Sequence, residues 1–337
     1  MTMLFNPAIM ALIMVSIVVS AMLLTAAGFA IQVLLRWDIS SGSEGQLVLE
    51  RRTYLISTLL TWVFASELVS LMLFVYNAES MSGQFVGAMC ATGVLNVNSW
   101  GWPTLFLKIL VFFMGAVWLS INYLDNQGFD YPLIRIKYWI LLLITPLVFL
   151  EAFVQLQYFL GLNPAVITSC CGALFSTDAE GVAAEISGLP PAAALPLLYG
   201  TGLILMLSGA WFLLRRKGSL FFAATGGIVF VAALVGIVSV ISLYIYEHPH
   251  HHCPFCILKP GHDHAGYALY IPLFIATALA FASGAMGVWR EIPSLTDVVE
   301  REAPRLAWIS MSLFALFFAI ATAAVWRSNL IMESVWW

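Results

Sequence analysis

SLFFAATGGIVFVAALVGIVSVISLYIY, residues Ser219 to Tyr246, runs without a single charged side chain. A helix crosses a hydrocarbon layer of about 30 Å in roughly 20 residues, so this stretch is long enough to span a membrane. Only a helix satisfies every backbone N–H and C=O within one such segment. The run also grows polar toward its end, through Ser239, Ser242, Tyr244 and Tyr246, and then delivers the chain into the most unusual stretch of the protein. That stretch, EHPHHHCPFCILKPGHDHAGYALY from Glu247 to Tyr270, holds all six histidines and two of the five cysteines.

The rest of the chain resembles the first run more than the second. Hydrophobic residues make up 61% of the 337 and charged residues only 9%, too few to cover the surface of a water-soluble globule. Eight apolar runs are long enough to span: 8–35, 54–77, 103–124, 138–160, 195–214, 219–246, 268–289 and 306–328. None shows the ten-residue alternation of a membrane barrel. The first run is too long for a signal-peptide core and lacks a basic start, so it is expected to stay as a helix. The expected fold is all-α: one polytopic membrane bundle of about eight helices occupying residues 1–337.

Cationic residues orient that bundle. Arg36, Arg51 and Arg52 follow the first span, and Arg135 and Lys137 the third. Arg215, Arg216 and Lys217 follow the fifth, and Arg290, Arg301 and Arg305 the seventh. These are 11 of the 14 Lys and Arg residues. By the positive-inside rule the odd-numbered connections face the cytoplasm, and both termini and the even-numbered connections face outward. All five cysteines then fall on the outer side: Cys90 after the second span, Cys170 and Cys171 after the fourth, Cys253 and Cys256 after the sixth. A structural disulfide set in an oxidising compartment accounts for part of this segregation, but it leaves one thiol over and does not use the histidines. The expected location is a bacterial cytoplasmic membrane with the Cys/His site on its periplasmic face.

The chemistry is therefore sought in the outer loops. Imidazole and thiolate together suit copper, zinc or iron rather than magnesium or calcium. Cys253 and Cys256, with His248, His250, His251, His252, His262 and His264, are the expected metal ligands. Cys90, Cys170 and Cys171 are candidates for further ligands or a supporting bridge. The bland alternative is a solvated His-rich loop with adventitious metal affinity. CPFC is not followed by histidine, and no span contains one, so neither covalent haem attachment nor bis-histidine haem within the spans is expected.

The C-x-x-C spacing also suits a redox dithiol, with Cys253 and Cys256 as the catalytic pair. In an outward loop of a helical bundle, CPFC resembles the layout of DsbB-type and vitamin K epoxide reductase-type membrane oxidoreductases. That resemblance implies electron transfer between protein thiols and a quinone. It covers this motif and the idea of a second cysteine pair, and those families use a four-helix core where this chain has eight spans. A third reading is a non-catalytic anchor or assembly subunit of a larger membrane complex. There is no P-loop or other nucleotide motif and no soluble domain, so no nucleotide or nucleic-acid partner is expected; the partners are the lipid bilayer and other membrane or extracytoplasmic proteins.

Apart from Arg327 near the end of the last span, three charged residues lie inside spans: Glu67 in TWVFASELVSL, Lys108 in PTLFLKILVFF and Glu151 in LVFLEAFVQLQYF. A carboxylate in hydrocarbon must face the bundle interior, be protonated, or find a partner. Lys108 is a candidate partner for either acid. Glu151 also shares a helical face with Gln155 and Tyr158. The three read either as a structural ion pair or as a proton or ion route confined to the outer half.

Overall fold

A computed structural model describes residues 3–168 and 189–332. Among these residues the regular structure is helical, without strands. Eight helices are long and apolar enough to cross a membrane. They are α1 (Pro7–Arg36), α2 (Glu44–Ser80), α3 (Gly101–Asp125), α4 (Ile134–Leu160), α5 (Pro191–Arg215), α6 (Ser219–Tyr246), α7 (Ala265–Gly287) and α8 (Thr296–Arg327). The largest differences from the expected spans are at α2 and α8, which start at Glu44 and Thr296, each ten residues before the expected start.

The contacts divide the chain into two compact units. The first is Met1–Ser80, Val97–Asn163 and Trp289–Val299; the second is Met81–Asn96, Pro164–Val288 and Glu300–Trp337. In the first unit α1 packs on α2 and α4, and α3 packs on the same two, which closes a four-helix ring. Its core is aromatic and aliphatic, with Phe64, Trp118, Tyr138 and Val148 buried at the centre.

In the second unit α6 lies between α5 and α7. Small residues permit the close approach to α7: a β-carbon on Gly226 would stand 2.8 Å from that of Ala280, and one on Gly284 would collide with Ala223. α8 presents Ala303, Ala307, Ser310, Phe314, Phe317 and Ala321, a buried stripe at helical spacing. It is tied to α7 by Ser310 Oγ donating to the Ala276 carbonyl at 2.7 Å, and by Ser283 Oγ donating to the Ala303 carbonyl at 2.8 Å. On the α5 side, Tyr199 and Thr322 share a hydroxyl–hydroxyl bond of 2.7 Å. α6 is not uniform, because Ile237–Ile241 takes the wider π form before the last α-helical turn. Such a turn leaves carbonyls misaligned with the ladder, and one of them is used by the site below.

Candidate metal centre

The second unit brings two loops together beyond the end of α6. The first carries Cys90. Gly87 takes φ +84°, the left-handed region where glycine is favoured, and a β-carbon there would collide with the Thr168 carbonyl. The segment is stitched to residue 168 twice: Thr168 N donates to the Val86 carbonyl at 2.9 Å, and Thr168 Oγ1 to the Gly93 carbonyl at 2.8 Å. Cys90 is extended and begins the short helix Ala91–Leu95, and its side chain is fully buried.

The second loop is Glu247–His264. α6 stops at Glu247, which adopts the left-handed conformation, and its carboxylate accepts hydrogen bonds at 2.9 Å from both the backbone N–H and the side-chain amide of Asn329. Tyr246 Oη donates to the Cys253 carbonyl at 2.5 Å and Tyr270 Oη to the Pro254 carbonyl at 2.8 Å. Two rigid phenols, one from each flanking helix, therefore fix the backbone of CPFC. Phe255, Ile257 and Leu258 are buried beside the two cysteines. Lys259 Nζ donates to the Met89 carbonyl and so clips this loop to the one that carries Cys90.

The result is a sulfur cluster. Cys90, Cys253 and Cys256 are all buried, and their three Sγ atoms lie within 4.8 Å of one another. Cys90 Sγ and Cys253 Sγ are 3.2 Å apart, and Thr92 Oγ1 stands 3.2 Å from Cys253 Sγ. Hydrogen bonds to the thiolate from Cys256, Cys90 and Thr92 hold Cys253 down to about 3. Hydrogen bonds with Cys253 and Cys90, and burial, push the Cys256 thiol up. A metal ion about 2.3 Å from each of three sulfurs spaces them by roughly 3.8–4.0 Å, so these thiols can hold one with displacements of a few tenths of an ångström. The donor set is soft, the kind that selects Cu(I) or zinc.

The six histidines, adjacent in sequence, do not converge with the sulfurs. Among the described residues no imidazole nitrogen belongs to the tight donor group. They build the loop instead. His252 Nδ1 is 3.0 Å from the Val238 carbonyl inside the π segment, and His264 Nδ1 is 2.8 Å from the Leu258 carbonyl. A carbonyl only accepts, so in both rings Nδ1 carries the proton. His251 stacks on Tyr246 with ring centroids 4.0 Å apart, and His262 meets the same ring edge-on at 4.6 Å. Burial pushes His252 and His262 below the usual histidine range. His248 and His250 are exposed, the backbone N–H of His250 donating to His248 Nδ1 at 3.2 Å. The expected ligand candidates Cys170 and Cys171 lie outside the described residues.

The intramembrane residues belong to the first unit. Lys108 Nζ is 2.7 Å from Glu151 Oε1 and donates to Ser70 Oγ at 2.7 Å, all three side chains being buried. Glu67 is buried without an ion-pair contact of its own to Lys108. A second buried pair was not expected from sequence. Lys137 Nζ, assigned there to a cytoplasmic loop, is 2.6 Å from Asp125 Oδ2 and donates to Ser57 Oγ at 3.2 Å. Asp125 Oδ1 accepts from the Leu133 N–H at 2.9 Å. The signal was present in DNQGFDYPLIRIK, which carries two acids and two bases around a tight α3–α4 turn in a chain short of charge.

The chain matches no family model, no curated protein and no solved structure.

Proposed function

We propose that this membrane protein binds one soft transition-metal ion, with Cu(I) the best fit and zinc next, between Cys90, Cys253 and Cys256. The ion is handled on the extracytoplasmic face of a bacterial cytoplasmic membrane, in exchange with other membrane or extracytoplasmic proteins. The observation that carries the reading is the convergence of three buried thiols from two loops, 163 residues apart in the case of Cys90 and Cys253. Three sulfurs complete a three-coordinate Cu(I) site, while zinc would need a fourth ligand. The sidedness is supported by the exposed Arg36, Arg51, Arg52, Arg135, Arg215, Arg216 and Lys217, which sit at or beside odd-numbered connections, whereas the cysteine loops are even-numbered ones. Lys137, buried against Asp125, does not contribute to that argument.

Purified protein is expected to contain about one copper or zinc per chain. Cys90→Ser, Cys253→Ser and Cys256→Ser should each lose it, and replacing the exposed His248 and His250 by alanine should not. Retention of stoichiometric metal in Cys90→Ser would refute the three-sulfur centre.

A second reading is thiol–disulfide exchange, favoured by the 3.2 Å approach of Cys90 to Cys253. Two thiols would join as a disulfide, releasing two protons and two electrons to a quinone, which becomes a quinol. Tyr244, with Tyr199, Thr322 and Trp326, lines a cavity of about 450 Å³ in the same unit that offers such a ring hydroxyl and aromatic contacts. Metal-free protein whose accessible thiol count falls by two on addition of a quinone would favour this reading over the first.

A further inference from the structure

The first unit contains two buried lysine–acid pairs, and only one of them is balanced. Lys137 and Asp125 match one to one, and Asp125 uses both oxygens, on Lys137 and on the Leu133 N–H. At the other pair a second carboxylate, Glu67, lies close enough to feel both Lys108 and Glu151, yet of the two acids the ammonium contacts only Glu151. Lys108 is engaged by Glu151 and Ser70, each at 2.7 Å. Glu67 lies one turn before Ser70 on the same face of α2 and is only 3% exposed, yet its Oε1 accepts no hydrogen bond. Gln155, one turn beyond Glu151 on α4, donates through Nε2 to Ser16 Oγ at 2.7 Å, and its Oε1 likewise has no donor. This patch has more buried acceptors than donors and one negative charge too many.

No cation on a packed element supplies the difference. α1 has no ionisable side chain before Arg36, α3 offers only Lys108 in this half, and α4 offers Glu151. An unpaired carboxylate held in an apolar interior costs so much that the group takes up a proton instead. A metal cation would need several oxygens converging at one point, whereas a proton needs one.

We propose that Glu67 is a proton-binding site within the membrane-spanning part of the first unit, held as the neutral acid beside the Lys108–Glu151 ion pair. It lies 13 residues before the end of α2 at Ser80, about 20 Å along the helix from the α2–α3 loop. The event at the site is the binding or release of one proton at a carboxylate oxygen, with no change of oxidation state. Lys108 and Glu151 set its occupancy: removing the lysine should leave two acids to protonate, and removing Glu151 should hand the ammonium to Glu67 and ionise it.

The test uses the full-length protein in detergent, treated with dicyclohexylcarbodiimide, which adds to protonated buried carboxyl groups, and mapped by peptide mass spectrometry. Modification is expected at Glu67 and not at Glu151. It should vanish in Glu67→Gln, whose amide mimics the neutral acid and should leave the unfolding temperature unchanged. It should extend to Glu151 in Lys108→Met and fall sharply at Glu67 in Glu151→Gln. Infrared spectroscopy gives a readout that does not depend on reagent access: a protonated-carboxyl C=O band present in the native protein and missing in Glu67→Gln. Absence of that band from the native protein overturns the proposal. Suppression of the modification by sodium ions at constant pH also overturns it, assigning the site to a metal cation.

Discussion

The two units solve the same problem, keeping polar groups inside a membrane bundle, with different chemistry. The first buries ionisable groups: the ion pairs Lys108–Glu151 and Lys137–Asp125, with Glu67 beside the former. The second buries hydroxyls, such as Ser208, Thr225, Ser283 and Ser310, each bonded to a backbone carbonyl or to another hydroxyl. It keeps its reactive groups in the loops, where the titratable atoms are sulfur and imidazole. A buried charge is costly to leave alone and a buried hydroxyl is not, so the units should respond differently to the loss of one partner. The first is built around buried ion pairs. The second is a neutral platform that holds a sulfur cluster.

The largest effect expected from this contrast is in the first unit. Asp125→Ala strands Lys137 in the core and should cost about 3–5 kcal/mol, read from thermal or denaturant unfolding in detergent. Replacing the pair together, as Asp125→Leu with Lys137→Met, should recover most of that loss; if it does not, the pair does more than satisfy itself. Next comes the sulfur cluster, where Cys256→Ser should remove the metal and, with it, about 3 kcal/mol of ligand stabilisation measured at metal a hundredfold above its Kd. Apo-protein should not show that difference. His251→Ala, which removes the ring stacked on Tyr246, should cost about 0.5–1.5 kcal/mol and leave metal content intact. Ser310→Ala in the second unit should cost about 1 kcal/mol or less, because it removes one neutral hydrogen bond. A Ser310→Ala loss as large as that of Asp125→Ala would erase the contrast between the units.

The helices were legible in sequence because a membrane span is a one-dimensional signal: composition over roughly 20 residues decides it. The site was legible only in part. Cys253 and Cys256 declare themselves by spacing, but the Cys90–Cys253 approach depends on the stitching of residues 86–93 to Thr168 and on the Lys259 clip, neither of which leaves a local pattern. The histidines misdirect the reader for the opposite reason. Their density along the chain reads as one site, yet in space they separate, two bonded to carbonyls, two packed on Tyr246 and two exposed. The Asp125–Lys137 pair escaped because the lysine sits beside a helix end, where a base reads as a loop charge, and only the α3–α4 turn folds it inward.

X-ray absorption at the copper or zinc edge of purified protein tests the central claim most directly, because it reports which atoms touch the ion. A shell of three sulfurs at about 2.3 Å is the expected result, reduced or absent in Cys90→Ser. A shell dominated by nitrogen at about 2.0–2.1 Å, unchanged in Cys90→Ser, would contradict the account and return the metal to the histidines.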